Sequence, residues 1–504
     1  MKRVLVGAVV VLVGLAAIMP ASAESQPSLS LPPIPAIPGV PILSMPTDLL
    51  VPKFIGSAAS GNPLDSPPVP QHPWLAPNGK NTMHDDAYAS DAYAVSGPLG
   101  KNVKVSSASY GIRECATVAF DSHNRIVGLC GGLEGFTLMV IDPVTLKPIS
   151  ELRTSERNLL SGNNPLTDLC GGTYFFLDGA DNVYPTTSDK SVLQIEVGAD
   201  GTLTPRHTWA LADQLGPDDC LMATMPDWAG RIWFFSRDGV AGTIDRTTDA
   251  VHTVHLPAGE QVTNSVATDE TGGMYVVSTH ALYRLDATDD GVPEVTWREA
   301  YDHGTRLKPG NLSQGSGTTP TLLGKRWVAI NDNADPQTNV LVYDRRKGVS
   351  HRLHCTQPVL AQNAGTTDNS FVAAGNSFII ENNYGYSGPE ATTLGRTTTP
   401  GIARVMVDSD GCHVAWTNDS IAPSSVAKAS LGNGLLYAYT KPKLASGIDA
   451  WYFTAIDIRT GKTVWSRLTG TGIQWNNHYA AIYLGPDGTA YIATLAGLVR
   501  ITDG

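Results

Sequence analysis

Charge is sparse in this chain of 504 residues: Asp, Glu, Lys and Arg make up 16% of it, with 35 Lys and Arg against 47 Asp and Glu. A formal charge of −12 excludes a protein that grips nucleic acid through a basic face. Cysteine is scarce, with six residues and no Cys-x-x-Cys, so the common zinc and dithiol spacings are missing. Beyond residue 19 no apolar run approaches the roughly 20 residues of a membrane helix, and no segment carries helical periodicity. His-Glu-x-x-His, Gly-x-Ser-x-Gly and a Lys-containing phosphate loop are also absent. Glycine and proline are abundant, at 50 and 34 residues, and point to a chain of many turns.

The beginning reads Met1-Lys2-Arg3, an apolar run from Val4 to Met19, then Pro20-Ala21-Ser22-Ala23. A basic start, a short apolar core and a small-residue exit form a secretory signal over residues 1–23, with cleavage expected after Ala23. Loss of Lys2 and Arg3 leaves 33 basic against 47 acidic residues, a charge of −14 on the mature chain. Residues 24–100 are expected to be a Pro-rich leader and linker, since Pro32-Pro33, Pro35, Pro38, Pro41, Pro46, Pro52, Pro63 and Pro67-Pro68 fall too densely for helix or sheet.

From residue 101 to 504 one unit recurs. A strand runs into a tight polar turn and a second strand rich in β-branched and aromatic residues follows, as in Ala116-Thr117-Val118-Ala119-Phe120, Asp121-Ser122-His123-Asn124, Arg125-Ile126-Val127-Gly128-Leu129. Equivalent turns lie at Asp178, Asp227, Asp269, Gly324, Gly375, Gly432 and Asp487, a mean period of about 52 residues. A third and a fourth strand complete each unit, as at Phe136 to Ile141 before Asp142-Pro143. Eight units of four antiparallel strands predict an all-β, eight-bladed β-propeller, a ring without long exposed edges. The last unit has three strands before Gly504, and Val103 to Ser107 is the expected fourth, so the termini share the last blade.

Ala455-Ile456-Asp457-Ile458-Arg459-Thr460-Gly461-Lys462-Thr463-Val464-Trp465 resembles the Ala-x-Asp-x-x-Thr-Gly-Lys-x-x-Trp blade motif of the pyrroloquinoline quinone (PQQ)-like propellers, the quinoprotein alcohol dehydrogenase-like superfamily. Weaker relics are Ile141 to Lys147 and Ile244 to Asp249. The resemblance implies that Asp457 and Gly461 hold the turn between the third and fourth strands and that Trp465 docks against a neighbouring blade. The superfamily holds quinone-dependent dehydrogenases and non-catalytic scaffolds, so it argues fold before reaction. Its alcohol dehydrogenases carry a disulfide between adjacent cysteines over the quinone; no two cysteines here are adjacent, which makes PQQ a doubtful cofactor.

Against this fold the cysteines, even in number in an exported chain, suggest disulfides. Cys115 and Cys130 face each other across the first hairpin, Cys170 and Cys220 enter the innermost strands of adjacent blades, and Cys355 and Cys412 follow the fourth strand of one blade and the outer turn of the next. Glu114, Asp168 and Asp219 stand beside or near these cysteines close to the ring axis, where a metal could collect, though export favours disulfides over metal binding.

Ligand faces of propellers are built from the loops that enter the innermost strand and those that join the second strand to the third. Here the longest such loop carries Glu381, Asn382, Asn383, Tyr384, Tyr386 and Arg396; a neighbour carries Asp332, Asn333 and Asp335; Trp475, Asn477 and His478 enter the last blade on the same face. Carboxylates, amides, an imidazole and aromatics suit a polar ligand such as a sugar, or calcium held by oxygens. Asn331-x-Asn333-x-Asp335 does not complete a calcium loop, because Pro336 and Val342 stand where Gly and Glu are required, and no metal ligand set is assigned. His478 as general base with Glu381 or Asp332 as acid partner is the catalytic arrangement these residues would support.

The sequence therefore implies a secreted or cell-envelope propeller with a binding or scaffold role, its partner a polar small molecule or an envelope component, with no nucleic acid and no transmembrane segment in the mature chain. The alternative is an extracytoplasmic lyase or hydrolase acting on a polar substrate such as a carbohydrate, and a quinone-dependent dehydrogenase comes third; whether the chain is an enzyme stays open. Mass spectrometry of protein recovered from the medium or envelope of an expressing bacterium is expected to give a mature N-terminus at Glu24; a retained Met1 would reject the signal assignment.

Overall fold

The first turn of each blade is built by a side chain. In blade 1, Asp121 accepts the amides of His123 at 3.0 Å and Arg125 at 2.8 Å, donors that the turn would otherwise leave unpaired. Asp178, Asp227 and Asp269 repeat this in blades 2 to 4, and the second carboxylate oxygen accepts a hydrogen bond from the residue six positions on: Tyr184 at 3.0 Å, Trp233 at 3.0 Å and Tyr275 at 2.7 Å. Each Asp thus fixes both the reversal and the first core aromatic behind it.

In the computed structural model, which describes residues 38–157 and 168–504, these hairpins organise eight antiparallel sheets in a ring, an eight-bladed β-propeller with no α-helix among the described residues. The expected signal segment, residues 1–23, lies outside the described residues, as does the leader up to residue 37. Blade 1 comprises Arg113–Phe120, Ile126–Gly132, Gly135–Ile141 and Pro148–Glu156, and the following blades start at Phe175, Leu221, Ala267, Thr321, Val372, Lys428 and Ile482. Lys104–Ser109 pairs with Gly497–Thr502, Lys104 opposite Thr502 and Ser109 opposite Gly497, so the two ends of the ring share blade 8.

Apolar clusters lie between neighbouring blades, and tryptophans of the outer strands tie them together. Trp209 of blade 2 donates to Asp249 of blade 3 at 2.7 Å. Trp416 of blade 6 donates to the carbonyl of Ile458 in blade 7 at 2.8 Å and covers Gly461, where a Cβ would stand 2.5 Å from the indole. With φ at +71° as well, that position requires glycine. Asp457 accepts the amide and hydroxyl of Thr460 at 2.8 Å each, and Trp465 is fully buried in the cluster between blades 7 and 8.

The described part of the leader, from residue 38, packs on the ring. Its prolines keep it extended, yet Phe54–Gly56 adds an antiparallel strand to the outer edge of blade 7, and Ala92–Tyr93 adds a parallel one to the inner edge, which makes that blade six-stranded. Between them residues 76–91 cross the axis at the end where the first turns lie. Carbonyls of Lys80, Asn81, Ala87, Tyr88, Ser90 and Asp91 accept the amides of Phe120, Leu177, Thr268, Leu322, Ala373 and Ala429, one from each of six blades, at 2.8 to 2.9 Å. Ala87, Ala89 and Asp91 are fully buried. Lys428, on the innermost strand of blade 7, is buried with them; its ammonium meets Asp91, Asp85 at 3.3 Å and the carbonyl of Met83 at 2.5 Å.

Three disulfides join Cys115 to Cys130, Cys170 to Cys220 and Cys355 to Cys412, the pairs the ring suggests. Cys355 differs from expectation only in lying within its fourth strand, Leu353–Pro358.

Removing one partner of a buried ion pair costs about 3 to 5 kcal/mol, because a charge is left without compensation. Asp91→Ala is expected to lose that much stability in urea unfolding, and Asp91→Leu combined with Lys428→Met to recover part of it; equal losses in both would show that Lys428 does not depend on the axial segment.

Candidate functional site

Residues 76–91 close the axis at one end; the other end is open. There the loops entering seven blades, with part of the second hairpin of blade 1, surround a cleft that holds about 110 Å³ and opens to solvent at its mouth. Met83 and His84 of the axial segment form part of its lining, and apolar walls come from Leu133, Phe136, Leu312 and Leu495. Among these, Glu114, Asp368, Tyr174 and His478 bring the polar groups.

Both carboxyl groups are short of water. Burial pushes Glu114 up to about 8, opposed by the amide of His478, which donates to its Oε1 at 2.8 Å. Burial pushes Asp368 up to about 7, opposed by the amide of Leu312 at 3.2 Å. Near neutral pH Glu114 thus keeps its proton and is a hydrogen-bond donor rather than a charge. The imidazole Nδ1 of His478 lies 2.9 Å from the hydroxyl of Tyr386, whose ring is buried behind it and which also donates to Asn476 at 2.9 Å. Arg157 stacks 5.0 Å over Phe136 and donates to the carbonyl of Asp168 at 2.7 Å.

Of the residues singled out in the sequence, His478, Glu114 and Asp168 line this cleft and Tyr386 backs it. The others are held in its frame or away from it. Asn477 donates to the carbonyl of Ala493 at 2.7 Å, and Trp475 is buried, its carbonyl accepting from Tyr439 at 2.9 Å. Asn382 and Asn383 brace the entry loop of blade 6, accepting the amides of Thr366 at 3.2 Å and Asp368 at 2.8 Å. Tyr384 is half-buried on the same loop, its amide donating to Asn382 at 3.1 Å. Arg396 donates to Glu390 and Thr393 of its own loop, at 2.7 and 3.0 Å.

Glu381 does not line the cleft; it is buried behind it, accepting from Asn369 at 3.2 Å and the amide of Ala427 at 3.1 Å, and burial pushes it up to about 8. Asp332 is turned into its own loop, accepting the amide of Asn339 at 2.7 Å and its side chain at 2.6 Å. Asn333 donates to the carbonyls of His303 and Arg306 at 3.0 Å, and Asp335 lies 3.6 Å from Lys308. His478 is therefore not paired with Glu381 or Asp332 by any of these bonds; its backbone amide meets the Glu114 carboxyl group. Asp332, Asp335 and Glu381 do not share one cage for calcium, and among the described residues no group of three His, Cys, Asp or Glu is placed to hold a metal.

No family model matches the chain. An uncharacterized protein of Archaeoglobus fulgidus is 28% identical over 271 residues, 48% of this chain and 52% of its own, so the chain spans about half the length of the curated relative it matches. Among solved structures, a catalytically inactive variant of virginiamycin B lyase from Staphylococcus aureus with quinupristin has a TM-score of 0.41 at 11% identity, covering 79% of this chain and 99% of that one. A functionally unknown protein from Desulfotomaculum acetoxidans has 0.39 at 12%, covering 67% and 95%. The propeller assignment here rests on the strand pairing of the chain itself.

Glu114 holds its proton in the fold to about 8, against an ordinary value of 4.5 when unfolded. Between those values the unfolded chain binds fewer protons, so this group's contribution to stability falls as pH rises. Glu114→Gln lacks that loss. Its stability relative to the native protein is expected to improve steadily from pH 5 to pH 8 in urea titrations, and a pH-independent difference would reject the protonated state of Glu114.

Proposed function

We propose that the chain is an exported binding protein whose axial cleft takes a small ligand with an apolar body and a hydrogen-bond acceptor, such as a carbonyl or ether oxygen. The observation that carries the reading is the blind end of the cleft. Residues 76–91 close one end of the axis, and the entry loops converge over Met83 and His84. A through-channel lined by eight strand edges would offer no enclosure; a closed one can desolvate most of a ligand. Glu114, kept protonated by burial, supplies a donor within apolar walls, and a buried donor discriminates against ligands that cannot satisfy it.

Export is supported by the signal-like residues 1–23 and by the three disulfides, which persist in oxidising compartments. Kinship with the PQQ-like propellers is supported by the Asp457, Gly461 and Trp465 turn and by the docking of Trp416 on Gly461. It does not bring the quinone with it, since the three disulfides join residues 15, 50 and 57 positions apart and not neighbours in the chain.

A ligand present at 100 times its Kd stabilises a protein by about 2.7 kcal/mol, a readily measured rise in melting temperature. Screening amphipathic compounds is expected to find ligands that raise the melting temperature of the native protein but not that of Ala116→Trp, in which an indole fills the cleft from the half-buried Ala116. Equal shifts in both proteins would place the ligand elsewhere.

A further inference from the structure

Three side chains from separate elements meet in the cleft lining. His84 comes from the axial segment, Thr319 from the entry to blade 5 and Ser370 from the entry to blade 6, and all three line the cleft. Nδ1 of His84 lies 3.1 Å from Oδ1 and 3.2 Å from Oδ2 of Asp91. Nε2 lies 3.2 Å from the hydroxyl of Thr319. Asp91 is fully buried; desolvation pushes its carboxyl up, but the Lys428 ammonium and the hydrogen bond from His84 outweigh this and hold it below the ordinary carboxylate range. Ser370 donates to its other oxygen.

An ionised carboxylate only accepts hydrogen bonds, so the proton of neutral His84 belongs on Nδ1. Nε2 then presents its lone pair to the Thr319 hydroxyl, within the reach required of a general base. The order of groups, carboxylate to imidazole to hydroxyl, is that of an activated nucleophile whose base is oriented by a third residue. A plain buried polar network would satisfy its members equally well. Here, however, the chain of bonds ends on a hydroxyl in the wall of an open cleft. Asp368, a carboxyl group in the same lining, packs on Gly317, two residues before Thr319.

We propose that Asp91, His84 and Thr319 form a relay that activates the Thr319 hydroxyl toward the carbonyl carbon of an ester held in the cleft. This rests on the reading of the cleft as the ligand site. In the first half-reaction a bond forms from Thr319 Oγ1 to the carbonyl carbon while the hydroxyl proton passes to Nε2. The carbonyl oxygen becomes an alkoxide on the tetrahedral carbon. The bond to the alcohol oxygen then breaks, and that oxygen takes the proton from Nε2. Water repeats the sequence on acyl-Thr319, its proton going to Nε2 and returning to Oγ1 as the carboxylic acid leaves. No oxidant or further reactant is needed.

The full mature protein incubated with diisopropyl fluorophosphate is expected to gain one adduct on the peptide containing Thr319, and p-nitrophenyl butyrate to be hydrolysed. Thr319→Val, close in shape to the native side chain, should abolish the adduct and lower turnover by about 10²-fold or more; Thr319→Ser should restore both reactions. His84→Gln should slow labelling to a similar degree. An unlabelled Thr319, or turnover unchanged in Thr319→Val, overturns the relay. If Ala116→Trp still blocks ligand-induced stabilisation in that case, the binding site stands and the relay alone falls; if no ligand stabilises the native protein through the cleft, the binding reading falls with it.

Discussion

Eight innermost strands around one axis leave eight edges whose amides and carbonyls face a common channel. Everything distinctive in this molecule depends on how those edges are met. A short run of residues from before the first blade, Lys80 to Asp91, lends carbonyls to six of the eight. Asp85, Ala89 and Asp91 adopt positive φ, at 76°, 51° and 54°, a conformation that disfavours residues with a Cβ by about 1 to 2 kcal/mol each. Six backbone hydrogen bonds and a buried ion pair offset that strain.

The same crossing decides what the open end can do. It converts a channel into a cleft with a floor, and it carries His84 into that floor. It also confines two acidic side chains beside Lys428, a cation that an inner strand would otherwise point into bare channel. Glu114 and Asp368 belong to blades and not to the crossing, and burial raises the proton affinity of each.

What could be read from the residues alone follows the same division. The blades were legible because each turn is self-contained: Asp121, Asp178, Asp227 and Asp269 bond to amides two to four positions away, so the signal is local. The cysteine pairs followed once the ring was assumed, since strand order alone brings those positions together. In the leader, proline density reports extended backbone and says nothing of whether that backbone is buried. Its one telling stretch runs from Asn78 to Gly97 without a proline and contains Met83-His84-Asp85-Asp86-Ala87-Tyr88, a density of titratable groups among small residues that a free spacer has no use for.

The site residues divide in the same way. Asn382, Asn383, Asp332 and Arg396 are polar because their loops need internal hydrogen bonds, and that need has the same composition as a ligand site. Glu381 looks functional for a second reason, its burial, yet its neighbours are Asn369 and the amide of Ala427, and the ring spends it on joining blade 6 to blade 7. Glu114 and His478 differ because they are far apart in sequence, 364 positions, and are brought together only by closure of the ring between blades 8 and 1. A contact of that kind has no local pattern to announce it. It exists because Lys104–Ser109 completes the last blade, which sets blade 1 beside it and lays the His478 amide against the Glu114 carboxyl; the polar centre of the cleft is therefore made at the seam where the two ends of the ring meet.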